Sequence, residues 1–226
     1  MATTCDTAVR VHTSLLAGAE KRLLVRIAGR LPRSVHSDHL TALAALSMAA
    51  TGACFWVGGA YPGALPAAIG FLAVNWFGDS LDGTLARVRH EERPRYGFYV
   101  DHVLDAAGIL ALVAGLVLGG WMSAAIGAAF LIAYYLLMIE IALTAHTLGR
   151  FHMSFWRMGP TELRIALAAG AVQLLRAPSV ALLGRSYLLF DVGGTVAIVF
   201  LTLTFVLSAL RNGRELYRLE PRRGQV

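Results

Sequence analysis

Long uncharged stretches alternate with short charged segments along the whole chain. A helix that crosses a membrane needs about 20 apolar residues. Residues 40–60 carry no charge and predict a first spanning helix. Residues 61–78 are also uncharged and predict a second one, whose helical pattern continues through the aspartates that follow toward Arg87. These two stretches predict a pair of neighbouring helices in a bilayer.

The second half of the chain repeats this pattern. Residues 106–139 carry no charge but are too long for one span, so we predict that Gly119 and Gly120 divide them into a third and a fourth helix. A fifth helix is predicted after Pro160, although it carries charges, and residues 192–210 predict a sixth. The predicted fold class is therefore an all-α polytopic membrane protein with six transmembrane helices.

An amphipathic segment precedes these spans. Residues 12–33 interleave leucines with basic side chains, which predicts a helix with a basic face lying at the headgroup boundary. The alternative is an arm that packs on the body of the protein. We predict one membrane domain over residues 1–226: the amphipathic helix at 12–33, a core at 38–211 and a basic cytoplasmic tail at 212–226.

Composition supports a membrane environment. Hydrophobic residues make up 57% of the 226 residues and charged ones only 15%, against about 25% in soluble domains. The basic excess is almost entirely arginine, which sits beside apolar runs and does not form one polar face. This arrangement argues against nucleic acid binding. It predicts, by the positive-inside rule, a multi-pass protein of the cell membrane with both termini in the cytoplasm.

Four carboxylates stand out in residues 79–105, at the predicted cytoplasmic end of the second and third helices. Asp79 and Asp82 fall on one helical face, within an arc of roughly 100°. Asp101 and Asp105 are four residues apart and share a face of the next helix. We expect the turn between the helices to bring them into antiparallel contact, so that the four aspartates share one pocket.

Such a pocket needs positive charge. An unpaired carboxylate in a membrane interior costs at least about 2.5–3.5 kcal/mol, and four together repel one another. Hard oxygen ligands favour Mg²⁺ or Mn²⁺, and two such ions could polarise a pyrophosphate. We therefore predict a site for two divalent ions at the cytoplasmic face.

Small and basic residues lie beside this site. Gly83 leaves room for a nucleotide against the helix, and Ala86 adds only a methyl group on the next turn. Arg87 can make paired hydrogen bonds to phosphate. Gly83 and Ala86 would also serve close helix packing, and Arg87 would also serve as a membrane anchor.

The full spacing resembles the CDP-alcohol phosphatidyltransferase family: Asp79-x2-Asp82-Gly83-x2-Ala86-Arg87-x9-Gly97-x3-Asp101-x3-Asp105. The gap before Gly97 has nine residues where eight is commoner. The segment from Ser37 to Thr41 is similar to the family's Pro-Asn-x-x-Thr start of the first helix, with Ser and Asp in place of Pro and Asn.

The resemblance implies a division of labour. Asp79, Asp82 and Asp101 would be metal ligands, and Asp105 would be both a ligand and the catalytic base. The residues implied in binding the CDP moiety are Gly83, Ala86, Arg87, Asp38, Thr41 and Arg93. The implied reaction transfers a phosphatidyl group from CDP-diacylglycerol to a small alcohol and releases CMP.

Alternatives remain open at the level of sequence. The lipid could be the acceptor of a soluble CDP-alcohol. A cation transporter would use intramembrane carboxylates as an ion path, but it predicts acidic groups near the midplane and repeated or broken helices. A structural scaffold leaves the four carboxylates without a purpose. The acceptor alcohol is not specified by the motif, and small-residue pairs such as Gly193-Gly194 also allow a homodimer seam among the membrane lipids.

Overall fold

A computed structural model describes residues 17–149, 160–182 and 184–220. In these ranges the chain forms seven α-helices and one two-stranded hairpin. The helices are α1 (Ala17–Ala28), α2 (Ser37–Gly58), α3 (Leu65–Arg89), α4 (Pro94–Leu118), α5 (Ala124–Leu148), α6 (Pro160–Leu174) and α7 (Leu189–Leu219). A 3₁₀ turn, Pro62–Ala64, leads into α3, and the antiparallel strands β1 (Ser179–Leu182) and β2 (Arg185–Leu188) join α6 to α7. The predicted all-α class is confirmed.

Five helices in the described ranges, α2, α3, α4, α5 and α7, are long and apolar enough to cross a membrane. The chain is therefore membrane-embedded and multi-pass. The predicted count of six spans is not confirmed, because α6 has 15 residues and its apolar part is only Leu163–Leu174. At 1.5 Å per residue, α6 is about 22 Å long, short of the roughly 30 Å hydrocarbon core.

The helix ends follow the local sequence closely. Helix α4 ends at Leu118 and α5 begins at Ala124, so the glycine pair divides the long uncharged stretch as predicted. Gly120 adopts a left-handed φ of 76°, a conformation in which a side chain would be strained. Helix α7 continues to Leu219, well past the predicted end of the core at residue 211.

Helix α1 packs against α3. Leu24 and Ala28 are buried with Leu81 and Leu85 of α3, while Arg22 and Arg26 on α1 are exposed. One face of the amphipathic helix is thus occupied by protein and the basic face is turned outward. The part of the predicted 12–33 helix before residue 17 lies outside the described residues.

Helix α2 packs against both α3 and α4, whereas α3 and α4 themselves make very few close backbone contacts within the described ranges. The expected direct contact between these two helices is not confirmed at the level of the backbone. Helix α2 instead approaches both of them at backbone distance. A Cβ on Gly52 would overlap the carbonyl of Ala111 on α4, and one on Gly78 would lie 2.8 Å from the carbonyl of Leu40 on α2. We refer to the space between α3 and α4 beside their aspartates as the cleft.

The smaller apolar core cluster, around Leu81 and Leu85, lies at the aspartate end of the bundle. The larger one includes Phe55, Leu65 and Leu116, which are almost fully buried toward the end away from the aspartates. Two polar contacts close this end. The Trp121 indole donates to the carbonyl oxygen of Phe55 at 2.8 Å. The Ser123 backbone N–H, at the start of α5, donates to Asp191 Oδ1 of α7 at 2.7 Å. All four aspartates of the motif lie at the opposite end.

Candidate active site

Helix α3 presents the first two aspartates toward α2 and α6. The Thr41 hydroxyl of α2 donates to Asp82 Oδ2 at 2.7 Å, and the Ser37 hydroxyl donates to the Asp82 backbone oxygen at 3.1 Å. The close approach at Gly78 brings the first turns of α2 against this turn of α3. One side of the Asp82 carboxylate is thereby fixed by the N-terminal end of α2.

Asp79 has a different partner. Its Oδ2 accepts a hydrogen bond from Arg164 Nη2 of α6 at 2.8 Å, and the two side chains form an ion pair. The Arg164 side chain is only 10% exposed, whereas that of Asp79 is 41% exposed. This pair joins the first aspartate to a helix far from it in sequence.

Helix α4 contributes the remaining two aspartates from its first half. The Asp105 carboxyl lies within electrostatic range of Asp79, Asp101 and Asp82 and also of Arg164. Asp82 interacts in the same way with Asp79 and Asp101. Asp105 itself is exposed, and the other three are partly buried. The structure therefore gathers all four predicted aspartates around the cleft between α3 and α4.

The donor set suits divalent cations, because four carboxylates supply only hard oxygen ligands. Within the described ranges, however, no three acidic, histidine or cysteine side chains stand close enough together to coordinate one ion. Protein groups hold Asp79 and Asp82: Arg164 binds Asp79, and Thr41 binds Asp82. Metal binding would require these side chains to turn further into the cleft.

The predicted nucleotide-binding residues of α3 line the same part of the helix. Gly83 and Ala86 are partly exposed, and Arg87 is exposed. Arg87 Nη2 donates to the Thr84 hydroxyl at 3.2 Å. On α4, a Cβ at Gly97 would meet no atom within 4 Å. Packing of the protein alone therefore does not require glycine at that position.

Two further predicted residues, Asp38 and Arg93, contact each other. They form an exposed ion pair between the first turn of α2 and the residue just before α4, with side chains 49% and 51% exposed. The Arg93 guanidinium also lies 4.2 Å from the centre of the Tyr96 ring. This ion pair holds the short 90–93 turn against the start of α2.

Sequence reasoning missed three side chains that shape the site. Arg164 of α6 donates both to Asp79 and to Asn75 of α3. The Arg89 guanidinium donates to the carbonyl oxygens of Leu31, Pro32 and Val35 and ties the α1–α2 linker to α3. The available signal for Arg164 was a charge inside an otherwise apolar helix, which in membranes indicates a polar partner.

Comparison with known proteins agrees with this geometry. The family model for CDP-alcohol phosphatidyltransferases matches residues 35–210, well over half of the chain, from just before α2 to well into α7. No curated protein matches the chain significantly. The matched region contains the four aspartates and Arg164. The chain belongs to the CDP-alcohol phosphatidyltransferase family.

Proposed function

We propose that this enzyme transfers a phosphatidyl group from CDP-diacylglycerol to a small alcohol and releases CMP. Family membership already establishes that it transfers a substituted phosphate group from a CDP-alcohol to an alcohol, in a pathway of phospholipid synthesis. The family needs divalent metal ions. The choice of donor, acceptor and metal, and the role of each residue, are the proposal.

The observation that carries the proposal is the convergence of Asp79, Asp82, Asp101 and Asp105 around one open cleft. In this proposal Asp79, Asp82, Asp101 and Asp105 hold two Mg²⁺ or Mn²⁺ ions. When bound, these ions would polarise the pyrophosphate and offset the negative charge of the leaving group. The carboxylates themselves gain from this, since their mutual repulsion is otherwise costly.

Asp105 is the proposed base. Asp105 is exposed and lies within electrostatic range of the other three aspartates, so we propose that the hydroxyl of an acceptor alcohol reaches its carboxylate. Asp105 takes the hydroxyl proton while the alcohol oxygen forms a bond to the β-phosphorus of the donor. The bond between that phosphorus and the bridging oxygen breaks, and CMP leaves with the electron pair. The products are a phosphodiester lipid and CMP.

The CDP moiety would lie along α3. Gly83 has no side chain and Ala86 only a methyl group, so the nucleotide can lie close to the helix. Arg87 can bind a phosphate through paired N–H groups. Thr41 lies beside Asp82, and the Asp38–Arg93 pair stands at the edge of the same region. We propose that Asp38, Thr41 and Arg93 help to hold the nucleotide, with the ion pair opening as it enters.

The donor is proposed to be the lipid because α4 exposes apolar side chains on its side away from Asp105. Val103 and Leu110, two residues before and five residues after Asp105, fall on that side by helical spacing and are 48% and 50% exposed. In a bilayer such side chains face acyl chains, so a diacylglycerol can lie against α4 while its pyrophosphate reaches the aspartates.

We further propose that the aspartate end of the bundle and both termini face the cytoplasm, and that the membrane is the cell membrane. Exposed arginines lie at this end: Arg22, Arg26, Arg30, Arg33, Arg87, Arg93, Arg95, Arg211, Arg214 and Arg218. Such an excess of arginine marks the cytoplasmic side.

The proposal also includes a homodimer whose subunits meet at Gly193, where a Cβ would meet nothing within 4 Å.

The test uses purified protein in lipid nanodiscs with Mg²⁺ or Mn²⁺, CDP-diacylglycerol and a panel of alcohols that includes glycerol phosphate, inositol, inositol phosphate and serine. We expect metal-dependent CMP release with one acceptor, together with the matching phospholipid in the lipid extract. A parallel arm supplies soluble CDP-alcohols with diacylglycerol. Turnover only in that arm would overturn the choice of donor, and no CMP release in either arm would overturn the proposed function.

A further inference from the structure

Arg164 is a buried cation within the aspartate site that lies outside the aspartate motif. The residue is 9% exposed and belongs to the first turns of α6. Its guanidinium makes two directed contacts: Nε donates to Asn75 Oδ1 at 2.6 Å, and Nη2 donates to Asp79 Oδ2 at 2.8 Å. A buried charge of this kind is costly unless it is paired and hydrogen-bonded.

Asn75 fixes the guanidinium from behind. Its side chain is 5% exposed, and its Nδ2 donates to the backbone oxygen of Ala44 on α2 at 2.8 Å. Because that bond uses the amide N–H, the amide oxygen must point toward Arg164. Contacts among α2, α3 and α6 thus hold the positively charged guanidinium of Arg164 against Asp79.

The position of α6 follows from this contact. Arg164 lies near the start of a helix too short to span, while Asp79 lies well along α3. The described beginning of α6 therefore lies at the level of the aspartates. A charge that weakened the prediction of a sixth span is part of the site.

Oδ2 of Asp79, which the guanidinium occupies, is one of the two oxygens that this carboxylate can offer a divalent ion. We propose that Arg164 is a positioning residue that serves as the built-in counter-ion of the aspartate cluster, and that a divalent cation binds by displacing its guanidinium from Asp79 while Asn75 retains it. This inference rests on the proposed function in so far as the aspartates bind metal. It assigns Arg164 a competing role that lowers metal affinity and stabilises the site when no ion is bound.

The first test measures Mn²⁺ binding by electron paramagnetic resonance and the apparent melting temperature in EDTA. Arg164→Gln removes the charge but can still hydrogen-bond. We expect it to bind Mn²⁺ about tenfold more tightly, to melt several degrees lower in EDTA, and to gain more stability from Mn²⁺ than the wild type does. Arg176→Gln is the matched control, since Arg176 is an exposed arginine just after the other end of α6, and it should change neither quantity.

A purely structural ion pair predicts something else. In that case Arg164→Gln would melt lower in EDTA but would bind Mn²⁺ with unchanged or weaker affinity, and this result would overturn the proposal. Arg164→Lys keeps the charge and loses the planar fork, so its Mn²⁺ affinity should stay near that of the wild type. A tenfold gain in the lysine variant would also overturn the competition.

Hydrogen–deuterium exchange on the wild type covers the case in which Arg164→Gln does not fold. Adding Mn²⁺ should protect the backbone around the aspartates of α3 and α4 and should increase exchange in the first turns of α6. Equal protection of all three helices would overturn the proposed displacement of Arg164 from Asp79.

CMP release is measured in parallel. Tighter Mn²⁺ binding by Arg164→Gln together with a wild type that releases no CMP would support the counter-ion and contradict the proposed function, whereas a wild type that binds no Mn²⁺ would overturn both.

Discussion

The hydroxyl of Thr41, one turn into α2, donates to Oδ2 of Asp82 on α3 at 2.7 Å. Its other acceptor, the Ser37 backbone oxygen, is farther away at 3.1 Å. The shorter bond links the helix that separates α3 from α4 to one of the four aspartates. It explains in physical terms why a threonine at this position belongs to the site: its hydroxyl orients a carboxylate.

Thr41→Val keeps a side chain of similar shape but removes the hydroxyl that orients Asp82, so it should lower the activity of the site. A hydrogen bond to a charged group contributes about 1.5–3 kcal/mol, so we expect kcat/KM for CMP release at limiting Mg²⁺ to fall at least about tenfold. Thr41→Ser keeps the hydroxyl and should stay within about threefold of the wild type. Equal losses in the two variants would show that the methyl group, and not the hydroxyl, matters.

Asp105→Asn tests the base. The amide keeps the size of the side chain but cannot accept the alcohol proton, so the rate of CMP release should fall by roughly 10²–10⁴. Asp191→Asn is the matched control, because its amide oxygen can still accept the Ser123 N–H at the other end of the bundle. Turnover of Asp105→Asn close to that of the control would contradict the assignment.

Gly52→Ala should destabilise the protein. The added Cβ would overlap the Ala111 carbonyl, and backbone cannot move aside as a flexible side chain can. We expect a cost of roughly 1–3 kcal/mol, seen as a lower melting temperature in nanodiscs. Gly70→Ala on α3 meets nothing within 4 Å and should raise stability by up to about 1 kcal/mol through helix propensity. A neutral Gly52→Ala would mean that α2 and α4 are not packed this closely.

Glu140 and Asn212 join α5 to α7. Glu140 is 8% exposed, and its Oε1 accepts from Asn212 Nδ2 at 2.7 Å and from the Thr144 hydroxyl at 2.9 Å. Glu140→Gln retains a side-chain oxygen and should melt near the wild type. Glu140→Leu leaves the Asn212 amide without this acceptor and should cost about 1–3 kcal/mol.

A double variant separates burial from pairing at this contact. Glu140→Leu combined with Asn212→Leu removes both polar partners, so much of the lost stability should return. Additive losses, measured as melting temperatures of the two single variants and the double variant, would indicate that the two side chains act independently.

Local features of the site were predictable from the sequence. Asp79 and Asp82 share a face of α3, and Asp101 and Asp105 share a face of α4, because the 3.6-residue repeat is set by hydrogen bonds within each helix. The break at Gly119-Gly120 and the family relationship were also predictable, since both depend on short-range spacing. The predicted count of six spans was not confirmed, because the described α6 is only 15 residues long and the chain then forms a hairpin.

The sequence by itself thus determined that the chain is a helical membrane protein, that it carries paired aspartates on two successive helices, and that it has the motif of its family. Tertiary structure decided what surrounds those aspartates. Helix α2 separates α3 from α4 because Gly52 and Gly78 allow backbone contact on two sides. Arg164 and Asp79 are 85 residues apart in the chain. They meet because Asn75 hydrogen-bonds both to the Arg164 guanidinium and to the backbone of α2. Helical periodicity is a local property, whereas the partner of a buried charge depends on how whole helices pack.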